Sequence, residues 1–465
     1  MKQESLPSHS PARELIEFVH AMSLETVPAR VVTQAKWALL DTLGCAIFGS
    51  RQPWTRILAE EMLAEGSHGH STLIGENQPV AAPAAALVNG TAAHGFELDD
   101  HLDAAVAHPG AIVMSAALAT AEAVNAPGAR LLAGIVAGYE TLNRVGLAMG
   151  LEASHRGFHK TAVVGPVGAA VAAGVVMGLK PAQLTAAVGL ACSTASGIKS
   201  FAAGTGGGMM KRMHAGRAAE SGVRMAQLAA RDFTAPPTAL DGRLGLLEVF
   251  GGAGARPELL ASRLGQEWAM DSVYVKVYPC CAWIQATVQQ LVVLRGPRPL
   301  APADIQRVRI GVCSYAAKHN GAIAPPDTMG AQYSIPYCTA VALTADPADP
   351  AMYREDALGD AARRELARRV EIHVDNEMEA VFPAHYGSRV ELEVKGGGRG
   401  ESCVLDPHGM PADPCTDAER LEKFSRLAGS LAAPETAAAI QKAVLGCERL
   451  ESARELLRPL RKGTK

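Results

Sequence analysis

The sequence predicts a protein built from a large all-helical domain and a smaller α+β domain. Three observations carry this. Apolar residues recur at helical spacing from the N-terminus to about residue 268. From about residue 269 the apolar period changes to two, with helical pieces between the alternating runs. Helix signals then return after Gly409. The expected division is a helical domain over 1–268, completed by 409–465, with 269–408 inserted as the α+β domain.

The elements follow in chain order. Ser10 and Pro11 form an N-cap and N1 pair, and Ile16, Val19 and Met22 keep an apolar stripe behind them. Val31 to Phe48 continues the same period and stops at Gly49. Thr161 to Leu179 runs without a charge, but its content is Ala, Gly and Val with Pro166 inside, which contributes little transfer energy and reads as a tightly packed buried helix. Pro181 opens a further helix through Leu184, Val188 and Leu190 toward Gly197. Strands are expected where Val273, Val275 and Val277 alternate with Tyr274, Lys276 and Tyr278, and again at 307–312, 369–375 and 389–395. Helices are expected at Ile335 to Thr344 and Ala357 to Arg368. Thr416 and Glu419 stand in capping-box spacing ahead of Leu421 and Phe424.

Composition narrows the function classes. With 465 residues, 48% apolar and 20% charged, the chain has enough material for two or three folded domains. Its 47 acids against 44 Lys and Arg leave a net charge of -3, which disfavours nucleic acid and points to a small partner. Nine cysteines without a CxxC pair read as free thiols in a reducing compartment. Glu4, Glu14 and Glu17 interrupt the N-terminal region, so a signal peptide is not supported. A cytoplasmic protein without a membrane segment is expected.

Three constellations carry chemistry. Glu97, Asp99, Asp100, His101, Asp103 and His108 lie within twelve residues, a set able to do acid/base work or to hold a divalent metal. A solvated acidic loop explains the carboxylates and leaves His108 unexplained, since His108 precedes Pro109 and Gly110 at a helix start where exposed amides favour an anionic group. His159, in the run Gly157 to Lys160, reads either as a satisfied structural histidine or as an acid/base group. The run Gly204, Gly206, Gly207 and Gly208 before Lys211 lacks the phosphate-loop spacing. It leads instead into a helix that carries Lys211 and His214 on one face, a carboxylate clamp or base, or a solvated basic helix start.

Read together, DTLGC at 41–45, NGTAAHGFELDD at 89–100, HPG at 108–110, GFHKTAVVGPVGAA at 157–170, KRMHAGRAAESG at 211–222, YPCC at 278–281, AQYSIPY at 331–337 and GMPADPCTDAERLEKF at 409–424 resemble the MmgE/PrpD family. That family includes 2-methylcitrate dehydratase, cis-aconitate decarboxylase and iminodisuccinate epimerase. The resemblance implies a homodimer with an active site between the two domains and chemistry without metal or organic cofactor. It places catalytic groups at His108, His159 and Lys211. Substrate-binding groups fall at Glu97, Asp99, Asp100, His101, His214, Gln285, Tyr333 and Ser334.

The expected activity is proton abstraction next to a carboxylate on a small di- or tricarboxylate, as in a dehydratase-type lyase. An epimerase of an iminodisuccinate-like dicarboxylate is the alternative, and a metal-dependent hydrolase a more distant one. One departure bears on this choice: relatives that dehydrate or decarboxylate carry a histidine four residues after the second cysteine of YPCC, and here Gln285 stands there. Glutamine holds no transferable proton. On that ground, negligible decarboxylation of cis-aconitate is expected.

Overall fold

The computed structural model describes residues 10–202 and 206–461, so Glu4 and Gly204 lie outside the described residues. The helical core is organised around the helix Lys160–Met177, which packs against Pro109–Val124, Gly128–Met149 and Met210–Ala229. Small residues let these helices approach closely. A Cβ added at Gly216 would come within 2.1 Å of the Leu87 carbonyl oxygen, so Met210–Ala229 lies almost backbone to backbone on Ala82–His94. Lys160–Met177 has the length and composition to cross a membrane, but 89% of it is buried inside the protein.

The local signals explain several boundaries. Ser10 caps the helix Pro11–His20 by accepting from the Arg13 amide. The helix Asp417–Ala428 has both halves of the Thr416/Glu419 capping box. This helix and Pro434–Leu445 pack on Ala29–Gly49, and Phe424, Ile440, Val444 and Leu457 join the helical core.

The α+β region contains one four-stranded sheet, β1 (Ile305–Val312), β2 (Val370–Val374), β3 (Ser388–Val394) and β4 (Gly398–Val404), in the order β2-β1-β3-β4. β1 and β2 are parallel, and the other two pairs are antiparallel. Val308, Ile310 and Val312 of β1 point into a second core shared with the helices Gln285–Arg295, Ile335–Thr344 and Ala361–Arg368.

Three expectations change, and one strand has no apolar signal in the sequence. The run 273–278 is not a strand: Tyr274 pairs only with His101, and the Val275 amide donates to Gly409, so successive residues find different partners and no ladder forms. β4 carries no apolar alternation, because an exposed edge strand is held by backbone pairing and by charge pairs such as Arg389 with Glu401 and Arg399 with Glu391. The helix from Pro181 ends at Cys192, short of Gly197. The stretch 357–368 divides at Asp360, which caps Ala361–Arg368 by accepting from the Arg363 amide. All nine cysteines are free thiols.

Candidate active site

The ends of four helices meet at one place. Ala82–His94 finishes there, and three helices begin there, capped by His108, His159 and Met209. This convergence brings residues more than a hundred positions apart into one buried cluster. The cavity beside it is lined from the helical side by Glu97, His101, His108 and His159, and from the α+β side by Cys281, Trp283, Tyr315, Tyr333 and Phe382.

Glu97 is the electrostatic hub. Its backbone is left-handed, φ 58°, and its side chain is fully buried. Oε1 accepts from Lys211 and from Arg212 at 3.4 Å, and Oε2 accepts from Lys276 at 3.3 Å. Burial pushes this carboxyl up, but the Lys211 and Lys276 ammoniums overcome it and hold Glu97 well below the ordinary range. Lys211 is lowered by burial despite Glu97. Burial also acts to lower Lys276, but Glu97 and Asp99 raise it above its ordinary value. Lys211 further sits 5.3 Å from the centre of the Tyr333 ring.

Asp99 organises two imidazoles. Its Oδ2 lies 2.6 Å from His94 Nδ1 and 3.3 Å from His108 Nδ1. His108 Nδ1 also faces the Asp100 carbonyl at 3.0 Å. With only acceptors around it, Nδ1 carries the proton, and the neutral ring keeps a lone pair on Nε2. Burial lowers His108 and His159 well below the ordinary histidine range. His159 Nδ1 meets His214 Nδ1 at 2.9 Å, so one ring donates and the other accepts, and burial takes His214 down to about 4. The rings of His108 and His159 are 6.4 Å apart.

The structure separates the sequence candidates. His101, His108, His159, Glu97 and Tyr333 line the cavity; Lys211, Asp99 and His214 stand directly behind it. Asp100 does not face it. Its carboxylate accepts from the Gly110 amide at 2.8 Å and the Tyr139 hydroxyl at 2.7 Å, so the helix start expected to meet a substrate anion is already occupied by Asp100. Ser334 caps Ile335–Thr344 and donates to the Ala322 carbonyl. Gln285 is fully committed to the turn before it: Oε1 accepts from the Tyr278 amide at 3.1 Å, and Nε2 donates to the Tyr278 and Cys280 carbonyls at 2.7 and 3.0 Å. Its side chain is absent from the cavity wall, which removes the premise that a missing proton at this position disables decarboxylation. The amides of Gly207 and Gly208 donate to Asp327 at 3.0 Å, leaving that glycine run no phosphate-binding role.

Two groups escaped the sequence reading. Lys276 alternates with valines as a residue on the polar side of a strand does, yet it is completely buried. His94 ends the helix Ala82–His94, and its Nε2 is buried without a hydrogen-bond partner among the described residues. His94, Asp99 and His108 bring ligand atoms within 4.8 Å of one another, a spacing that suits a divalent ion. The Lys276 ammonium 3.9 Å from Asp99 Oδ1 opposes a second cation there, while both imidazoles face Oδ2.

Fold and site together define a helical protein whose junction with an α+β unit carries buried acid/base groups backed by clustered cations. The chain belongs to the MmgE/PrpD family: the family's N-terminal domain matches residues 13–258 and its C-terminal domain residues 278–449. It is 30% identical to a cis-aconitate decarboxylase-like protein, oryM, of Aspergillus oryzae, over 98% of each chain. It is 29% identical to the cis-aconitate decarboxylase of Aspergillus terreus, again over 98% of each, and 27% identical to the human enzyme, over 93% of this chain and 91% of that one.

Proposed function

We propose that this protein is a lyase acting on a small tricarboxylate of the cis-aconitate class, without metal or organic cofactor, and that the bond it breaks is the carbon–carbon bond to a leaving carboxylate. The observation that carries the reading is the pair of neutral imidazoles, His108 and His159, facing one cavity against the Lys211–Glu97–Lys276 cluster. Loss of carbon dioxide leaves an electron pair that spreads into a neighbouring carboxylate. Lys211 and Lys276 stand where that charge is stabilised, and Glu97 holds them in place. The anionic substrate raises the affinity of the adjacent imidazoles for protons, so one of them becomes the acid that delivers a proton to carbon. The full-length similarity to cis-aconitate decarboxylases and the placement of Gln285 outside the cavity support this choice of bond.

A dehydratase is the second reading, favoured by one feature: His108 rests neutral with Nε2 available, as a base removing a proton next to a carboxylate must be. The test is turnover of cis-aconitate, 2-methylcitrate and iminodisuccinate in heavy water with product analysis. Itaconate bearing one deuterium on carbon is expected from cis-aconitate. Dehydration of 2-methylcitrate or deuterium exchange into iminodisuccinate, with cis-aconitate untouched, would transfer the assignment to the dehydratase or the epimerase.

A further inference from the structure

The cations around the cavity are not equivalent. Lys211, Arg212 and Lys276 share Glu97, and Lys160 spends two of its hydrogen bonds on the carbonyls of Gly146 and Gly150, both at 2.8 Å. Lys199 differs. It is half-buried, lines the cavity, and has no acidic partner among the described residues. Its ammonium is nevertheless held in position, donating to the Tyr315 hydroxyl at 2.6 Å and lying 5.4 Å from the centre of that ring. Tyr315 is fixed in turn between Trp283 and His319, with ring centres 4.4 Å away on either side. Two of the three ammonium protons remain for another acceptor. The Tyr315 hydroxyl, which accepts from Lys199, keeps its own proton to donate.

The backbone explains why this group belongs to the same site as His159. Residues 157–159 and 197–199 form a miniature antiparallel pair: Phe158 bridges Ile198, the His159 amide donates to Gly197 at 2.9 Å, and the Lys199 amide donates to Gly157 at 2.8 Å. This pairing makes His159 and Lys199 diagonal neighbours, and both side chains line the cavity. The residues directly opposite them are Gly197 and Gly157, both with positive φ, 108° and 88°. A Cβ at Gly157 would meet nothing within 4 Å, so the wall opposite Lys199 is open, and a short carbon chain carrying a carboxylate at each end can reach both groups across the cavity that they line.

We propose that Lys199, with Tyr315 and His319, is the recognition site for the substrate's distal carboxylate and selects tricarboxylates over dicarboxylates. This rests on the reading of the cavity as a carboxylate lyase site, and it adds the group that measures substrate length. Because Lys199 comes from the helical region and Tyr315 and His319 from the α+β region, the bound carboxylate also ties the two together.

The test is calorimetric binding of two unreactive acids, tricarballylate and methylsuccinate, the second lacking one terminal carboxylate. Lys199→Gln should weaken tricarballylate by about tenfold or more, the value of a charge-assisted hydrogen bond, and leave methylsuccinate nearly unchanged. Lys199→Arg should recover most of the tricarballylate affinity. Equal binding of tricarballylate by wild type and Lys199→Gln overturns the proposal, as does an equal loss for both acids. Wild-type protein that binds neither acid overturns the lyase reading itself.

Discussion

Replacing Glu97 by Gln tests whether the cation cluster depends on a single carboxylate. The substitution keeps the volume and removes the charge that Lys211, Arg212 and Lys276 share. The three cations are not left equally exposed to this loss. Lys276 retains Asp99 at 3.9 Å, and Arg212 retains Gln332 at 2.7 Å, but among the described residues Lys211 has no carboxylate other than Glu97 within ion-pair distance. The outcome is one fully buried ammonium left with only the more distant Asp99 charge, a loss of about 3–5 kcal/mol. Lys211 can relieve part of it by giving up its proton. Its folded pKa, already lowered by burial in the native protein, would fall further below the unfolded value, so the unfolded state binds more protons between the two and stability rises with pH through that wider window. The deficit should be largest near pH 6 and shrink toward pH 9. Urea unfolding followed by tryptophan fluorescence at both pH values reads this directly. A variant within about 1 kcal/mol of wild type at both values, well below the cost of a broken buried pair, would refute the account of Glu97 as hub.

The other expectations concern the same cluster. Lys211→Met should lower kcat/KM by about 100-fold, near 2.7 kcal/mol. Because Lys211 is wholly buried on Glu97, it should also lower stability, but by less than Glu97→Gln, since Glu97 keeps two cations; steady-state kinetics beside urea unfolding would expose an error in either half. Binding of tricarballylate should take up protons at pH 7, because His108 and His159 are neutral in the free protein and a neighbouring trianion raises their proton affinity. The uptake should fade at high pH, above the raised values, and a binding heat independent of buffer ionisation enthalpy at pH 7 would contradict it. Activity should survive exhaustive EDTA treatment, since the Lys276 ammonium beside Asp99 opposes a further cation there; recovery of lost activity only on adding zinc or iron would reassign His94, Asp99 and His108 as ligands.

What could be read without coordinates was whatever short-range physics decides. The caps at Ser10 and Thr416, the apolar helix behind His108 and the alternation of β1, β2 and β3 are all encoded within a few residues of where they act. The candidate chemistry was also legible as residue types, because an imidazole ahead of Pro109 or a lysine at a helix start is informative in any context.

Tertiary structure decided which of those groups face substrate. Asp100 and Gln285 have the right chemistry and are consumed by neighbouring backbone amides and carbonyls, an outcome set by side-chain direction that spacing does not report. Lys276 shows the converse. Its alternating neighbours describe a surface strand, yet it is buried because Glu97, 179 residues earlier, supplies the charge that makes burial tolerable. Local periodicity reports how a segment divides between core and water. The burial of a charge depends on what the rest of the chain brings to it, and that is settled only when distant helix ends converge.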